Sequence, residues 1–372
     1  MLKDYMAILN LAENENHIRS LTANRPIASL PLGSRYRVID FMLSNFVNCG
    51  IKNVGIFSKS NSRSLMDHIG DGKPWDLNRK IDGVFLFHHA LGDFVGGDTK
   101  VLKNNMEYFY RSKSKNVILA SSYMICNMDL TKVVDAHEQS GKEITVVYTK
   151  TQEADKKFVN CYTLDVEEET GLLKSVGKNA GVEKDANICM EIFVMSKEKL
   201  VSLIYNCAKK INEHNIYNIL FDELANIDIN TYYYDGFVSC INTVAAYYET
   251  NMKMLDLDVS NQLFRLTDRP IYTKIKDEPP TQYIKGCHVE NVLIADGCVI
   301  EGNIKNSLIG RYVDVEEGAE VSDCIILQNI RIHKGAKLSH VIVDKNVDIE
   351  PDTILKGNKV FPLVIEKKNL VK

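Results

Sequence analysis

No stretch of the 372-residue chain approaches the roughly 18 consecutive apolar residues that a membrane-spanning helix requires, so a span is excluded. The nine cysteines are odd in number and scattered, with no C-x-x-C pair, which argues against a zinc knuckle or a disulfide frame and for a reducing, cytoplasmic setting. An excess of one charge is missing too. Lys and Arg total 45 against 49 Asp and Glu, so no global field exists to draw in nucleic acid or anionic lipid. Proline is scarce, with 8 in all and none between Pro74 and Pro270. The first residues, Met1 to Met6, hold an acid and no long apolar core, unlike a signal peptide. What remains is an ordinary globular composition, 45% hydrophobic and 25% charged, at a length that suits two domains.

Through the first 250 or so residues, short apolar runs alternate with helical patterns, the rhythm of a layered α/β domain. Strands are predicted at Tyr5 to Leu11, Asn53 to Phe57, Gly83 to His88, Asn116 to Ser121, Ile144 to Tyr148, Ile188 to Met195 and Tyr232 to Ser239. Helices are predicted at Phe41 to Cys49, Ser60 to His68, Asn104 to Ser112, Leu130 to Ser140, Glu198 to Lys210 and Val244 to Leu255. Prolines then cluster at Pro270, Pro279 and Pro280, which marks an extended linker. The expected division is an α/β domain over 1–255, a linker over 256–282 and a third segment over 283–372.

That third segment is a repeat. Small aliphatic residues recur in triplets six positions apart: Val292, Cys298, Ile304; Ile309, Val315, Val321; Ile326, Ile332, Leu338; Val343, Ile349, Leu355. Each triplet returns after 17 residues. One inward aliphatic per short strand, three strands per turn, describes stacked coils of a parallel β-helix. The hexapeptide period resembles the left-handed kind.

Three blocks carry a resemblance. They are Leu21 to Asn45 (LTANRPIASLPLGSRYRVIDFMLSN) with Asn48 to Ile51, His68 to Leu77 (HIGDGKPWDL), and Gly236 to Met252, which ends in TVAAYYETNM. Together they resemble ADP-glucose pyrophosphorylases, the bacterial glucose-1-phosphate adenylyltransferases. The resemblance implies a Rossmann-like nucleotidyltransferase domain of the GT-A-like kind followed by a left-handed β-helix. It also implies a chemistry: the phosphate of glucose 1-phosphate attacks the α-phosphorus of ATP and pyrophosphate leaves. Such catalysis rests on positioning and charge neutralisation, and active members use Mg²⁺ on the phosphates.

Against that pattern this chain departs at each critical place. The family's Gly-Gly-x-Gly-x-Arg loop falls on Ala12, Glu13, Asn14, Glu15, Asn16 and His17. No glycine is left to let backbone N–H groups approach a triphosphate, and two carboxylates would repel it. The first metal-binding Asp falls on Ser122 and the second on Cys240, and neither a hydroxyl nor a thiol is a good ligand for a hard cation. Asp129 matches a family Met-Asp, and the reading preferred for it is a helix N-cap. Ile27 replaces a lysine, Gly97 to Val101 replaces the Gly-Thr-Ala-Asp-Ala block, and the Glu-Lys-Pro motif is absent. Arg35, Arg37, Asp40, Ser44 and Asn45 stay in register, and Arg35 and Arg37 suit a phosphorylated effector because Arg grips phosphate bidentately. A structural pairing of Arg37 with Asp40 is the alternative. Arg331, Lys334 and Lys337 on the coil are further basic residues.

The expectation is therefore a regulatory, D-type subunit with a degenerate active site. It would hold no metal of its own, would work beside a catalytic partner in a heterotetramer in the cytoplasm, and would respond to a sugar-phosphate effector. The alternative is an active adenylyltransferase with substitute ligands. A third reading, an acyltransferase using His288, His333 or His340 of the coil, conflicts with the N-terminal blocks.

Overall fold

The run Tyr5–Leu11 is apolar except for Asn10, and every residue in it is buried, as befits a central parallel strand covered on both faces. In the computed structural model, which describes residues 2–58, 63–88, 98–207, 215–367 and 370–371, it pairs in parallel with Asn53–Ser58 on one side and Asn116–Ala120 on the other. Asn53–Ser58 pairs in turn with Gly83–His88. The long strand Ala186–Ser196 runs antiparallel to both Asn116–Ala120 and Ile144–Thr151, and Ile229–Tyr233 adds to the far side of Ile144–Thr151 in parallel. A hairpin, Tyr162–Val166 with Leu173–Lys178, completes the nine-stranded sheet.

Helix Leu130–Ser140 packs on Ile144–Thr151, Ala186–Ser196 and Ile229–Tyr233, and helix Lys197–Cys207 on Asn116–Ala120 and Ala186–Ser196. The first begins where Asp129 caps it, taking the Thr131 N–H at 3.0 Å, and ends at Gly141 in left-handed backbone (φ 62°). Both devices satisfy orphaned end groups. A core around Phe57, Phe109, Phe193 and Leu220 joins these layers.

The hairpin was not legible in the sequence, because its alternation is polar and charged with no apolar run. The expected strand Tyr232 to Ser239 is two pieces, Ile229–Tyr233 and Ser239–Cys240, broken around Asp235 and Gly236. Residues 60–62 and 208–210 of two expected helices, and Gly97, lie outside the described residues.

Two compact units divide the chain out of sequence order. The first comprises residues 1–13, 39–240 and 266–272, and the second 14–38, 241–265 and 273–372. The expected linker opens with a further helix, Leu257–Phe264, capped by Asp256. Extended chain without helix or strand begins only after it and runs to Gln282.

In the second unit the repeat forms three stacked parallel faces. The inward column reads Ile304, Val321, Leu338, Leu355 on one face, Ile309, Ile326, Val343 on the next and Val315, Ile332, Ile349 on the third. The first coil departs from the expected register. Ile294 pairs with Ile309 and Ile300 with Val315, where the 17-residue spacing had placed Val292 and Cys298. The corner after Ile300 is two residues shorter than its successor after Val315, and Gly302 there lets the Ala319 carbonyl approach to 2.5 Å from where a Cβ would stand.

Corners stack in columns of left-handed backbone. Asn291, Asn306, Asp323 and His340 form one, Gly297, Tyr312, Asn329 and Asn346 another. Asn favours that conformation because its short side chain bonds locally. Here the side chains also bond along the column, Asn291 Nδ2 to Asn306 Oδ1 at 3.0 Å and Asn329 Nδ2 to Asn346 Oδ1 at 3.1 Å.

Candidate functional site

Two of the expected positions converge in the first unit. Ser122 follows the strand Asn116–Ala120, and Cys240 lies on a two-residue strand paired with Met124–Ile125. Glu13, two residues past the end of Tyr5–Leu11, reaches the same place. Its Oε1 accepts the Ser122 N–H at 2.8 Å and the Ser122 hydroxyl at 2.7 Å. Cys240 is buried with its Sγ 3.5 Å from Cys161 Sγ. Burial, and then the contact with Cys161, hold its thiol protonated, well above the ordinary thiol range.

A residue the sequence reading did not single out lies close to this group. Glu191 lies in a bulge of Ala186–Ser196, where the register against Ile144–Thr151 shifts between Cys189 and Phe193. Its backbone is left-handed (φ 53°), a conformation that favours glycine. Its carboxyl accepts the Tyr123 hydroxyl at 2.7 Å. Burial pushes that carboxyl up to about 7; the Tyr123 bond opposes the rise, and the charges of Glu13 and Asp98 add to it. The signal available in the sequence was a single carboxylate inside an apolar strand. Asp98, also buried, accepts from Asn10 Nδ2 at 2.6 Å, the Thr99 N–H at 2.9 Å and the Ile216 N–H at 3.3 Å.

These residues do not fit Mg²⁺. Ser122 offers a neutral hydroxyl that cannot offset the ion's charge, and Cys240 is a buried neutral thiol, whereas Mg²⁺ prefers hard, charged oxygen ligands in octahedral array. Among the described residues no group of three or more His, Cys, Asp or Glu side chains is placed to hold a metal ion.

The rest of the expected loop, Asn14 to His17, belongs to the second unit. Asn16 begins a short 3-10 turn, and Asn14, Asn16 and His17 are exposed. Glu15 Oε1 accepts the Ile27 N–H at 3.0 Å, so it orders the arm that follows.

That arm explains the retained blocks. Gly33 N–H donates to Asn251 Oδ1 at 3.0 Å, and the Tyr247 hydroxyl to the Pro31 carbonyl at 2.7 Å. The Tyr248 hydroxyl reaches the Asp323 carbonyl at 2.7 Å and Ser34 Oγ the Leu293 carbonyl at 3.0 Å. The Tyr-Tyr-Glu-x-Asn-Met block thus ties the arm and its own helix to the coil. In the first unit, Asp40 meets His68 Nε2 at 2.5 Å, Ser44 Oγ accepts the Tyr272 N–H at 2.8 Å and Asn45 Oδ1 the Met128 N–H at 3.1 Å. Asp129 is the helix cap already described.

A second constellation lies wholly in the second unit. Lys345 is only 8% exposed. Burial, and then the neighbouring charges of Arg37 and Arg25, bring its amine down to about 6, with Asp344 opposing and Lys276 adding. Lys276 is lowered as well, by burial and then by Arg311. Carboxylates meet these cations: Arg25 pairs with Asp344 at 2.8 Å, and Glu278 with Arg311 at 2.9 Å and with Lys276 at 3.8 Å. Sequence reading found Arg37 and missed Arg25, Lys276 and Lys345, which come together only through folding. Arg35 is exposed.

The other basic residues of the coil are neutralised at the surface, Arg331 by Asp314 at 3.5 Å, Lys334 by Glu317 at 3.5 Å and Lys337 by Glu320 at 3.0 Å. His333 bridges Glu316 and Asp348 at 3.0 and 2.8 Å, His340 contacts Ser339 Oγ at 3.0 Å, and His288 lies exposed 3.7 Å from Glu290.

A mixed sheet of this topology in one unit and a hexapeptide coil in the other define a nucleotidyltransferase-fold protein with a parallel β-helix. Residues 16–158 match the nucleotidyl transferase family, and residues 279–359 match the GlmU-like C-terminal hexapeptide family. The glycogen biosynthesis protein GlgD of Bacillus subtilis is 34% identical over 367 residues, covering 97% of this chain and 95% of that protein. GlgD of Geobacillus stearothermophilus is 36% identical over 354 residues, 94% and 92%. The glucose-1-phosphate adenylyltransferase of Bacillus cereus is 28% identical over 367 residues, 95% of each. This chain belongs to the GlgD family of glycogen biosynthesis proteins.

Proposed function

We propose that this chain is the regulatory, non-catalytic subunit of a glucose-1-phosphate adenylyltransferase in bacterial glycogen synthesis, assembling in the cytoplasm with a catalytic partner. The observation that carries the reading is the Glu13 carboxylate bonded to Ser122 beside the buried Cys240 thiol. Where the reaction needs metal-bound phosphates, a carboxylate already holds Ser122, and among the described residues no group of three or more His, Cys, Asp or Glu is placed to hold a metal ion. Greater identity to GlgD proteins than to adenylyltransferases supports the same reading. The test is ADP-glucose synthesis by the chain alone, by the catalytic subunit of the same genome alone, and by both mixed. The chain alone is expected to stay at background while the mixture exceeds the catalytic subunit. Robust synthesis by the chain alone would establish the active alternative instead.

A sugar-phosphate effector would fit the Lys345 cluster, where Arg25, Arg37, Lys276 and Lys345 come together and the guanidinium groups suit bidentate contact with phosphate. At pH 8 the empty site holds Lys345 neutral, its folded value of about 6 lying far below the ordinary 10.5. A bound dianion raises that value, so binding takes up a proton and weakens as pH rises. Calorimetry at pH 8 in two buffers of different ionisation enthalpy is expected to show this uptake in the native chain and none in Lys345→Met. The same shift sets a stability trend. Between about pH 6 and 10.5 the unfolded chain binds the proton and the folded chain does not, so through this residue stability rises with pH across that window. Lys345→Met is expected to melt higher than the native chain at pH 7, and equal melting temperatures would dismiss the cost of burying the amine.

A further inference from the structure

We propose that Glu13 is a built-in anionic ligand of this chain, holding the Ser122 amide and hydroxyl that a phosphate group would otherwise take and so closing the pocket to nucleotides from within. This rests on the non-catalytic reading and deepens it: the site has lost its metal ligands, and it is also occupied.

The geometry supports occupation. Two donors of one residue converge on a single carboxylate oxygen, the backbone N–H at 2.8 Å and the hydroxyl at 2.7 Å. Convergent backbone and hydroxyl donors of this kind take a phosphate oxygen as readily as a carboxylate oxygen. Glu13 arrives from the strand end at Leu11 and is half-buried, so its charge is supplied by the chain and needs no ligand from solution. Two further carboxyl groups lie near enough to feel its charge. Glu191 stands in backbone that favours glycine, with its carboxyl turned to Tyr123, and Asp98 contributes a further negative charge to the same surroundings. A triphosphate entering here would have to displace Glu13 and would also meet the negative charge of Asp98. A subunit built in this way leaves the nucleotide to its partner.

The test is ATP binding to the isolated full-length chain by equilibrium dialysis with labelled nucleotide. The native chain is expected to bind ATP weakly, and Glu13→Ala to bind it about ten-fold tighter or more, since two donors are freed toward a charged ligand. Glu13→Ala/Ser122→Ala, which removes the hydroxyl and keeps the backbone N–H, is expected to bind ATP less tightly than Glu13→Ala. A double variant that binds as tightly as Glu13→Ala counts against the proposal. Glu13→Gln, which keeps the size and an acceptor oxygen but loses the charge, serves if the alanine variant fails to fold, and is expected to gain in the same direction. Native binding as tight as that of the Glu13 variants, or folded variants that gain nothing, would overturn the proposal. Because the readout is binding to one chain, it is separate from stimulation of the partner, whose failure would remove the regulatory reading and leave this one standing.

Discussion

Replacing Ile332 with aspartate is expected to abolish the folded coil, and replacing it with alanine to cost about 2–5 kcal/mol in urea unfolding. Ile332 is fully buried and stands between Val315 and Ile349 in one inward column. In a coil each turn buries its apolar face only against the turns above and below, so stability is close to a sum of neighbour terms and a gap in the middle weakens both interfaces. Alanine leaves a cavity that the backbone ladder on either side cannot collapse into. Aspartate adds an unpaired charge in a column with no polar partner, which costs far more. Urea unfolding followed by far-ultraviolet circular dichroism checks both. A shift within about 0.5 kcal/mol for alanine, the size of an ordinary surface substitution, would show that Ile332 does not carry the stack.

Arg25→Ala is expected to destabilise the chain by about 3–5 kcal/mol, because it leaves Asp344 buried without its partner. The two side chains are each 6% exposed and 2.8 Å apart, and Arg25 Nε also holds the Leu21 carbonyl at 3.0 Å. Separated by 319 residues in sequence, they tie the N-terminal arm to the coil. The double variant Arg25→Met/Asp344→Leu is expected to recover much of the loss, since replacing both partners of a buried pair with apolar side chains is often nearly neutral. Thermal unfolding of the single and double variants gives the coupling directly. An additive double variant would mean that the pair contributes nothing as a pair.

Much of the fold was readable because it is periodic. Leu130 to Ser140 could be bounded at both ends, since Asp129 and Gly141 are strong start and stop signals. The coil declared itself through a repeat that no other architecture needs. The first coil's register was misplaced because a corner two residues short moves every inward position, and a count by 17 cannot see a deletion inside a corner. The hairpin Tyr162–Val166 with Leu173–Lys178 escaped because strands of mixed polarity have no clear period.

The candidate sites divide in the same manner. The readings at Glu13, Ser122 and Cys240 rest on residue types at positions that a motif marks, so chain order alone allowed them to be made. That Glu13 bonds to Ser122, that Glu191 occupies a left-handed bulge, and that Lys345 lies buried among Arg25, Arg37 and Lys276 depend on contacts between residues tens to hundreds of positions apart. By itself the sequence determined the two architectures and the family blocks, because local pattern and side-chain chemistry are written along the chain. Only the tertiary structure decided that the pocket holds its own carboxylate and that the cations of the second unit converge, because charge and burial are properties of neighbours in space.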